Sequence, residues 1–177
     1  MEIIDIVDEN LNFIRTAKRG EKLKTGEFFK FIHVWIVEEG KILIQKRGYD
    51  RRWAAGKWAT HTGVVSSGEN VDFSVVREIK EEMGATIDLV DIELEFIIRP
   101  NNYFNGIGYI YFVKSKNLDI EIDNDEVIDY KYVDFDTLKS MIKNNQFINY
   151  GNNGREYSNY FEKVFKKLEN LLEVNNE

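Results

Sequence analysis

The chain has no cysteine among its 177 residues. That excludes disulfide cross-links, a thiolate zinc centre and a cysteine nucleophile. Histidine is nearly as scarce, with His33 and His61 the two present, too few for a histidine-rich metal site. No apolar run approaches the roughly 18 residues that a membrane-spanning helix needs. The opening residues Met1–Asp5 lack a basic region followed by a long apolar one, so no signal peptide is expected. These absences lead to the expectation of a soluble, cytoplasmic protein with no membrane partner. Basic residues are also in deficit. A net charge of -7 argues against nonspecific nucleic-acid binding, which needs a broad basic face. Internal repeats and low-complexity tracts are missing as well.

What the chain does have is enough apolar material to fold: 43% hydrophobic and 14% aromatic residues. Its length suits a single domain. A weak boundary near Glu27 separates an N-terminal extension, residues 1–27, expected to pack on a core of residues 28–177. Phe28 to Val37, rich in aromatic and β-branched residues, reads as a strand. Glu38-Glu39-Gly40 then turns the chain into a second strand, Lys41 to Lys46, giving a β-hairpin. Trp58 to Thr62 is a short strand, and Thr86 to Ile98 alternates enough to be another before the break at Pro100-Asn101-Asn102. Tyr103 to Val113 and Val127 to Val133 follow as strands. Asp134 or Asp136 can cap a helix running to about Asn144, and Gly151–Gly154 is a loop. Tyr157, Phe161, Val164, Phe165, Leu168, Leu171 and Leu172 stripe a C-terminal helix. That stripe serves packing onto the domain, with a homodimer contact as the alternative. Strands flanked by separated helices are compatible with an α/β/α sandwich.

The chemistry concentrates between Gly63 and Ala85. Glu78, Glu81 and Glu82 stand at i, i+3 and i+4, which on a helix spans about 100° of one face. Carboxylates crowded in this way repel each other, and a hard divalent cation both removes that penalty and prefers such oxygen donors. Asn70 is a good N-cap, Asp72 is an anion in the first turn, and Gly84 fits the C-terminal cap. Phe73, Val76, Ile79 and Met83 would give the helix its apolar stripe. Arg77, four residues before Glu81, can brace the carboxylates. Gly63 and Gly68 punctuate the preceding loop and permit close backbone approach or positive φ.

The same stretch satisfies the pattern G-x5-E-x7-R-E-U-x-E-E-x-G-U, with U apolar, at Gly63, Glu69, Arg77, Glu78, Ile79, Glu81, Glu82, Gly84 and Ala85. Chance agreement anywhere in a chain of this length is on the order of one in ten million. Here the chain resembles the Nudix hydrolase family, with Ala85 the one departure, where a larger aliphatic is usual. The resemblance implies an α/β/α sandwich with a mixed β-sheet and the patterned helix on one face. It also implies metal-assisted attack of water on a nucleoside diphosphate linked to another moiety, a small nucleotide-type substrate. Glu78, Glu81 and Glu82, joined by the backbone carbonyl of Thr62, would hold Mg2+ or Mn2+. Glu78 is the first candidate for general base and Glu126, before the Val127 strand, the second. Glu69 would orient the metal-binding loop.

Beyond the patterned stretch, Arg19-Gly20-Glu21, His33-Val34-Trp35-Ile36 and Ile44-Gln45-Lys46-Arg47 look like the branch that includes isopentenyl-diphosphate isomerases and related hydrolases. Isomerase activity does not fit. In that family a cysteine precedes the glycine that here is Gly63, and this chain has Thr62. The isomerase's metal-holding glutamate pair and a further histidine fall at Phe104, Gly106 and Phe29. A third possibility is a domain that binds a nucleotide derivative without turnover. For phosphate contact the basic loop offers Arg47, Arg52 and Lys57, in a run that also contains Lys46 and Arg51. Trp53 and Trp58 flank that loop and could stack on a ring. His61 and His33 read as structural.

Overall fold

A computed structural model describes residues 2–100, 104–123, 125–150 and 159–173, and of Glu173 the backbone alone. Nine strands and three α-helices follow in the order β1 (Ile3–Val7), β2 (Phe13–Lys18), β3 (Phe29–Glu38), β4 (Lys41–Arg47), β5 (Trp58–Ala59), β6 (His61–Val64), α1 (Val71–Met83), β7 (Ile92–Ile98), β8 (Gly106–Ser115), β9 (Val127–Val133), α2 (Phe135–Lys143) and α3 (Tyr160–Glu173). A mixed seven-stranded sheet forms the centre. β3 runs parallel to β8 along its whole length and antiparallel to its other neighbours. Hydrophobic side chains alternate across β3, which is buried on both faces. Ile32, Val34 and Ile36 pack with Val75, Ile79 and Met83 of α1. Trp35 and Val37 pack with Leu138 and Met141 of α2 and with Tyr160, Val164 and Leu168 of α3. Helices on both faces of a mixed sheet make the α/β/α sandwich.

The β3–β4 hairpin turns at Glu39 and Gly40, both with positive φ, which matches the right-handed twist of the strands it joins. β4 stays beside β3 only from Ile36 to Glu38 and then pairs with β5 at Gln45 and Lys46, while β9 pairs along its other edge from Ile42; β6 takes the place of β4 against Phe31 to Val34. The sheet therefore forks, and the residues flanking the fork line the main cavity.

Several sequence expectations shift. The expected strand from Thr86 begins at Ile92, because Leu89–Asp91 closes a 3-10 turn with the Asp91 N–H donating to the Asp88 carbonyl. Trp58 to Thr62 is two strands broken at Thr60, the second extending to Val64. Asp134, not Asp136, caps α2, accepting from the Thr137 N–H at 2.7 Å. In α1 the buried stripe is Val75, Ile79 and Met83, and Phe73 is 56% exposed on another face. The extension forms a hairpin, β1 with β2, whose Asp5 carboxylate accepts from the Ser67 hydroxyl at 2.6 Å and the Gly68 N–H at 3.0 Å. The expected loop Gly151–Gly154, Tyr157, and Asn101 to Tyr103 lie outside the described residues. The rest of the C-terminal stripe packs on the sheet through α3. Among the described residues no helix is long and apolar enough to cross a membrane.

Candidate active site

The patterned helix is set by its ends. The Asn70 side chain accepts from the Asp72 N–H at 2.8 Å, and Gly84, at φ 67°, closes the C-terminus with its N–H on the Lys80 carbonyl. The two glycines expected in the loop do different work, and Gly63 in fact lies in β6, paired with Ile32 of β3. At Gly63 a Cβ would lie 2.1 Å from the Glu78 carboxyl carbon, so its bareness lets α1 bring that acid against β6. Gly68 has open space around it and instead adopts φ +73°. Ala85 is buried under the helix end, where it packs in the core.

Arg77 is the hub. Its Nε and Nη2 donate to the two Glu69 oxygens at 2.8 and 2.9 Å, and Nη2 also to the Val64 carbonyl at 3.1 Å. Nη1 reaches Glu78 at 2.8 Å and Glu81 at 3.0 Å. Glu69 in turn accepts from the Ser66 N–H at 3.1 Å, which ties the loop to the helix. The guanidinium and this backbone bond outweigh partial burial and hold the Glu69 carboxyl below its ordinary range. Glu78 behaves in the opposite way. Only 8% exposed, its carboxyl is pushed up to about 8 by burial, which outweighs the pull of Arg77; repulsion from Glu82 and Glu81 adds a smaller upward push. Glu82 is 5% exposed, with His61 Nδ1 3.4 Å from one of its oxygens.

A cavity of about 440 Å³ opens beside these acids, lined by Thr62, Gly63, Glu78 and Glu82 on one side. Phe29, Phe31, His33, Phe104 and Tyr150 line it too, as do Arg47, Arg51, Trp53 and Glu126. The structure thus brings Glu78, Glu82, Thr62 and Glu126 together on one space. It does not bring Glu81, whose side chain is 60% exposed and held toward solvent by Arg77. Among the described residues no three His, Asp or Glu side chains form a group that could hold a metal ion unaided.

The basic loop divides likewise. Arg47 lines the cavity, donating to the Trp53 carbonyl at 3.2 Å with its guanidinium 5.5 Å from the Trp53 ring centroid. Arg52 is exposed and off the cavity, and Lys57 is spent on Asn145 at 2.8 Å. Positive φ at Ala54 and Gly56 folds the loop back, and Arg51 instead of Arg52 lines the cavity, paired with Glu126 at 2.9 Å. Trp58 lies under Lys131, 4.3 Å from its ring centroid, and does not line the space. His61 is fully buried, with Gln45 at 3.1 Å, as a structural histidine would be. Of the aromatic lining the sequence pointed to Trp53 but not to Phe29, Phe31, Phe104 or Tyr150, for which the alternation Phe29, Phe31, His33 along one strand face was the available signal.

The profile of the NUDIX domain family matches residues 30–150. The chain belongs to that family. It is thereby a hydrolase of the class acting on pyrophosphate bonds. Over 154 residues, 85% of this chain and 90% of the relative, it is 34% identical to an uncharacterized Nudix hydrolase of Listeria innocua. It is 29% identical over 150 residues to isopentenyl-diphosphate Delta-isomerase 2 of Photorhabdus laumondii, covering 81% of this chain and 83% of that one. Among solved structures, DR0079 of Deinococcus radiodurans shares the fold at TM-score 0.69 and 16% identity, over 82% of this chain and 91% of that chain.

Proposed function

We propose that this Nudix protein is a divalent-metal-dependent pyrophosphohydrolase that cleaves a nucleoside diphosphate linked to another moiety, by attack of water on phosphorus. The observation that carries this is the pair Glu78 and Glu82, buried side by side on the wall of a cavity while one guanidinium serves Glu69, Glu78 and Glu81. That much buried negative charge is short of counter-charge, and hard oxygen donors of this kind fit Mg2+ or Mn2+. Glu78 and Glu82 would hold the ion, with Glu81 and the Thr62 carbonyl as further donors. Mg2+ needs only one or two carboxylates when water and substrate phosphate complete its shell. When bound, such an ion lowers the pKa of water and offsets phosphate charge.

The chain's own residues supply the rest. Glu78, pressed against Gly63 and facing the cavity, is the first candidate to take the proton of the attacking water. Glu126, oriented by Arg51 at the same cavity, is the second. Arg77 is a positioning residue, fixing Glu69 and Glu78 relative to the loop. Arg47 and Arg51 present guanidinium forks for the phosphates.

The isomerase named among the relatives represents the competing chemistry, protonation and deprotonation at carbon. Here Thr62 stands on the cavity, and a threonine hydroxyl is neither an acid nor a base at neutral pH. No cysteine is available anywhere in the chain to substitute for it. Assay of ADP-ribose, dinucleoside polyphosphates, NADH, nucleotide sugars and nucleoside triphosphates, with Mg2+ or Mn2+ and with chelator, tests the proposal. Metal-dependent release of phosphate or pyrophosphate products supports it. Turnover of isopentenyl diphosphate alone would establish the isomerase, and thermal-shift binding without turnover of anything would establish a non-catalytic binder.

A further inference from the structure

His33 lies in the middle of the central strand, 8% exposed, and is one of the residues that line the cavity. Its Nδ1 is 2.8 Å from the Tyr160 hydroxyl, and the same oxygen is 3.0 Å from Trp35 Nε1. An indole N–H only donates, so the phenol oxygen accepts from Trp35. Tyr160 is itself buried, and among the described residues His33 Nδ1 is the acceptor at hand for its O–H hydrogen. The network therefore assigns the imidazole proton to Nε2, the nitrogen with no partner among the described residues. With Nδ1 accepting from the phenol, the ring is the neutral tautomer.

This N–H sits in an aromatic setting. The His33 ring is 4.5 Å from Tyr150 and 5.2 Å from Phe31, and Phe31 meets Phe104 edge-on at 5.5 Å. Phe31 can lie low over β8 because Gly106 and Gly108 are bare: a Cβ at Gly108 would stand 2.3 Å from the ring. The space above these rings stays open as a result. An uncharged donor among hydrocarbon faces is poorly suited to phosphate, for which Arg47 and Arg51 lie on the same cavity. It is well suited to a flat apolar group that carries a neutral acceptor.

We propose that His33 is a substrate-positioning residue: its Nε2–H, oriented by Tyr160 and Trp35, hydrogen-bonds a ring nitrogen or carbonyl of a heteroaromatic base seated on the Phe31 and Phe104 rings. The assignment rests on the hydrolase proposal for the remainder of the substrate. Nitrogen-15 spectra of the histidine-labelled full chain test it without any variant. The expected tautomer is Nε2-protonated, with Nε2 shifting on titration with AMP, GMP, CMP or UMP. A Nδ1-protonated ring, or no shift with any of the four, overturns the proposal. Kinetics provide the second arm, using whichever of ADP-ribose, dinucleoside polyphosphates, NADH, nucleotide sugars and nucleoside triphosphates is turned over fastest with Mg2+. His33→Phe should raise KM about tenfold and leave kcat within about twofold, and His33→Gln, which keeps an N–H donor, should recover part of the loss. A fall in kcat at unchanged KM overturns the positioning role. Absence of turnover across the panel refutes the hydrolase instead, and the monophosphate titration still decides for His33.

Discussion

One wall of the cavity, with Gly63, Glu78 and Glu82, comes from the single stretch between residues 63 and 85, whereas the aromatic wall gathers Phe29, Phe31, His33, Phe104 and Tyr150 from three separate parts of the chain. The first is local: one helix at fixed rise and turn places its acids, and one arginine braces them. The second exists only after β3 and β8 pair in parallel and two glycines in β8 make room for Phe31. A chemistry that many substrates share can be built locally, while the shape that tells them apart depends on distant strands meeting in register.

Substitutions that damage each wall should have different kinetic consequences. The largest effect belongs to the acids. Glu82→Gln is expected to lower kcat by on the order of a hundredfold or more, with a melting temperature close to that of the unaltered protein. Unchanged turnover would remove Glu82 from the site. Next come the two close-approach glycines, which make a matched pair. Gly63→Ala drives a methyl group into the Glu78 carboxyl and should reduce kcat severely, whereas Gly108→Ala presses on Phe31 and should appear mainly in KM. Equal effects of both on kcat would erase the distinction between the walls.

A third comparison uses pH. In the metal-free protein the folded Glu78 carboxyl keeps its proton up to about 8, above the ordinary value of 4.5 that it regains on unfolding. The folded state thus binds more protons between those values, so stability present at low pH is lost as pH rises through them. Denaturation midpoints of metal-free protein should fall from pH 5 to pH 8, the decline should be smaller in Glu78→Gln, and added Mg2+ should restore the unaltered protein at the upper end. A flat profile without metal would show that burial does not hold the proton on Glu78. The smallest effect concerns the basic loop. Arg51→Ala should weaken kcat/KM several-fold, on the order of a lost charged hydrogen bond, and Arg52→Ala should change it less than about twofold.

The same contrast explains what the sequence made visible. Asn70, Asp72 and Gly84 are capping residues with strong local preferences, so the patterned helix was legible to within a residue at each end. The β3–β4 hairpin and β9 were legible too, since a Glu39-Gly40 turn and β-branched alternation are short-range signals. The N-terminal hairpin was not, because Phe13 and Ile14 of β2 face solvent and no alternation marks that strand. The Thr86 to Ile98 stretch misled because period-two alternation does not register the Asp88–Asp91 turn within it. Within the candidate site, the spacing of Glu78, Glu81 and Glu82 alone would equally suit a solvated helix face, and it is the whole Gly63–Ala85 pattern that singles them out; that Glu81 points to solvent depends on where Arg77 settles. Likewise Arg51 and Arg52 are indistinguishable until the backbone at Ala54 and Gly56 turns the loop.

Anomalous diffraction from crystals soaked in manganese tests the central claim most directly. A peak within coordination distance of both Glu78 and Glu82, on the cavity side of α1, is the expected result. Manganese bound elsewhere or not at all, with those two carboxylates left facing an empty wall, would contradict a metal-dependent hydrolase.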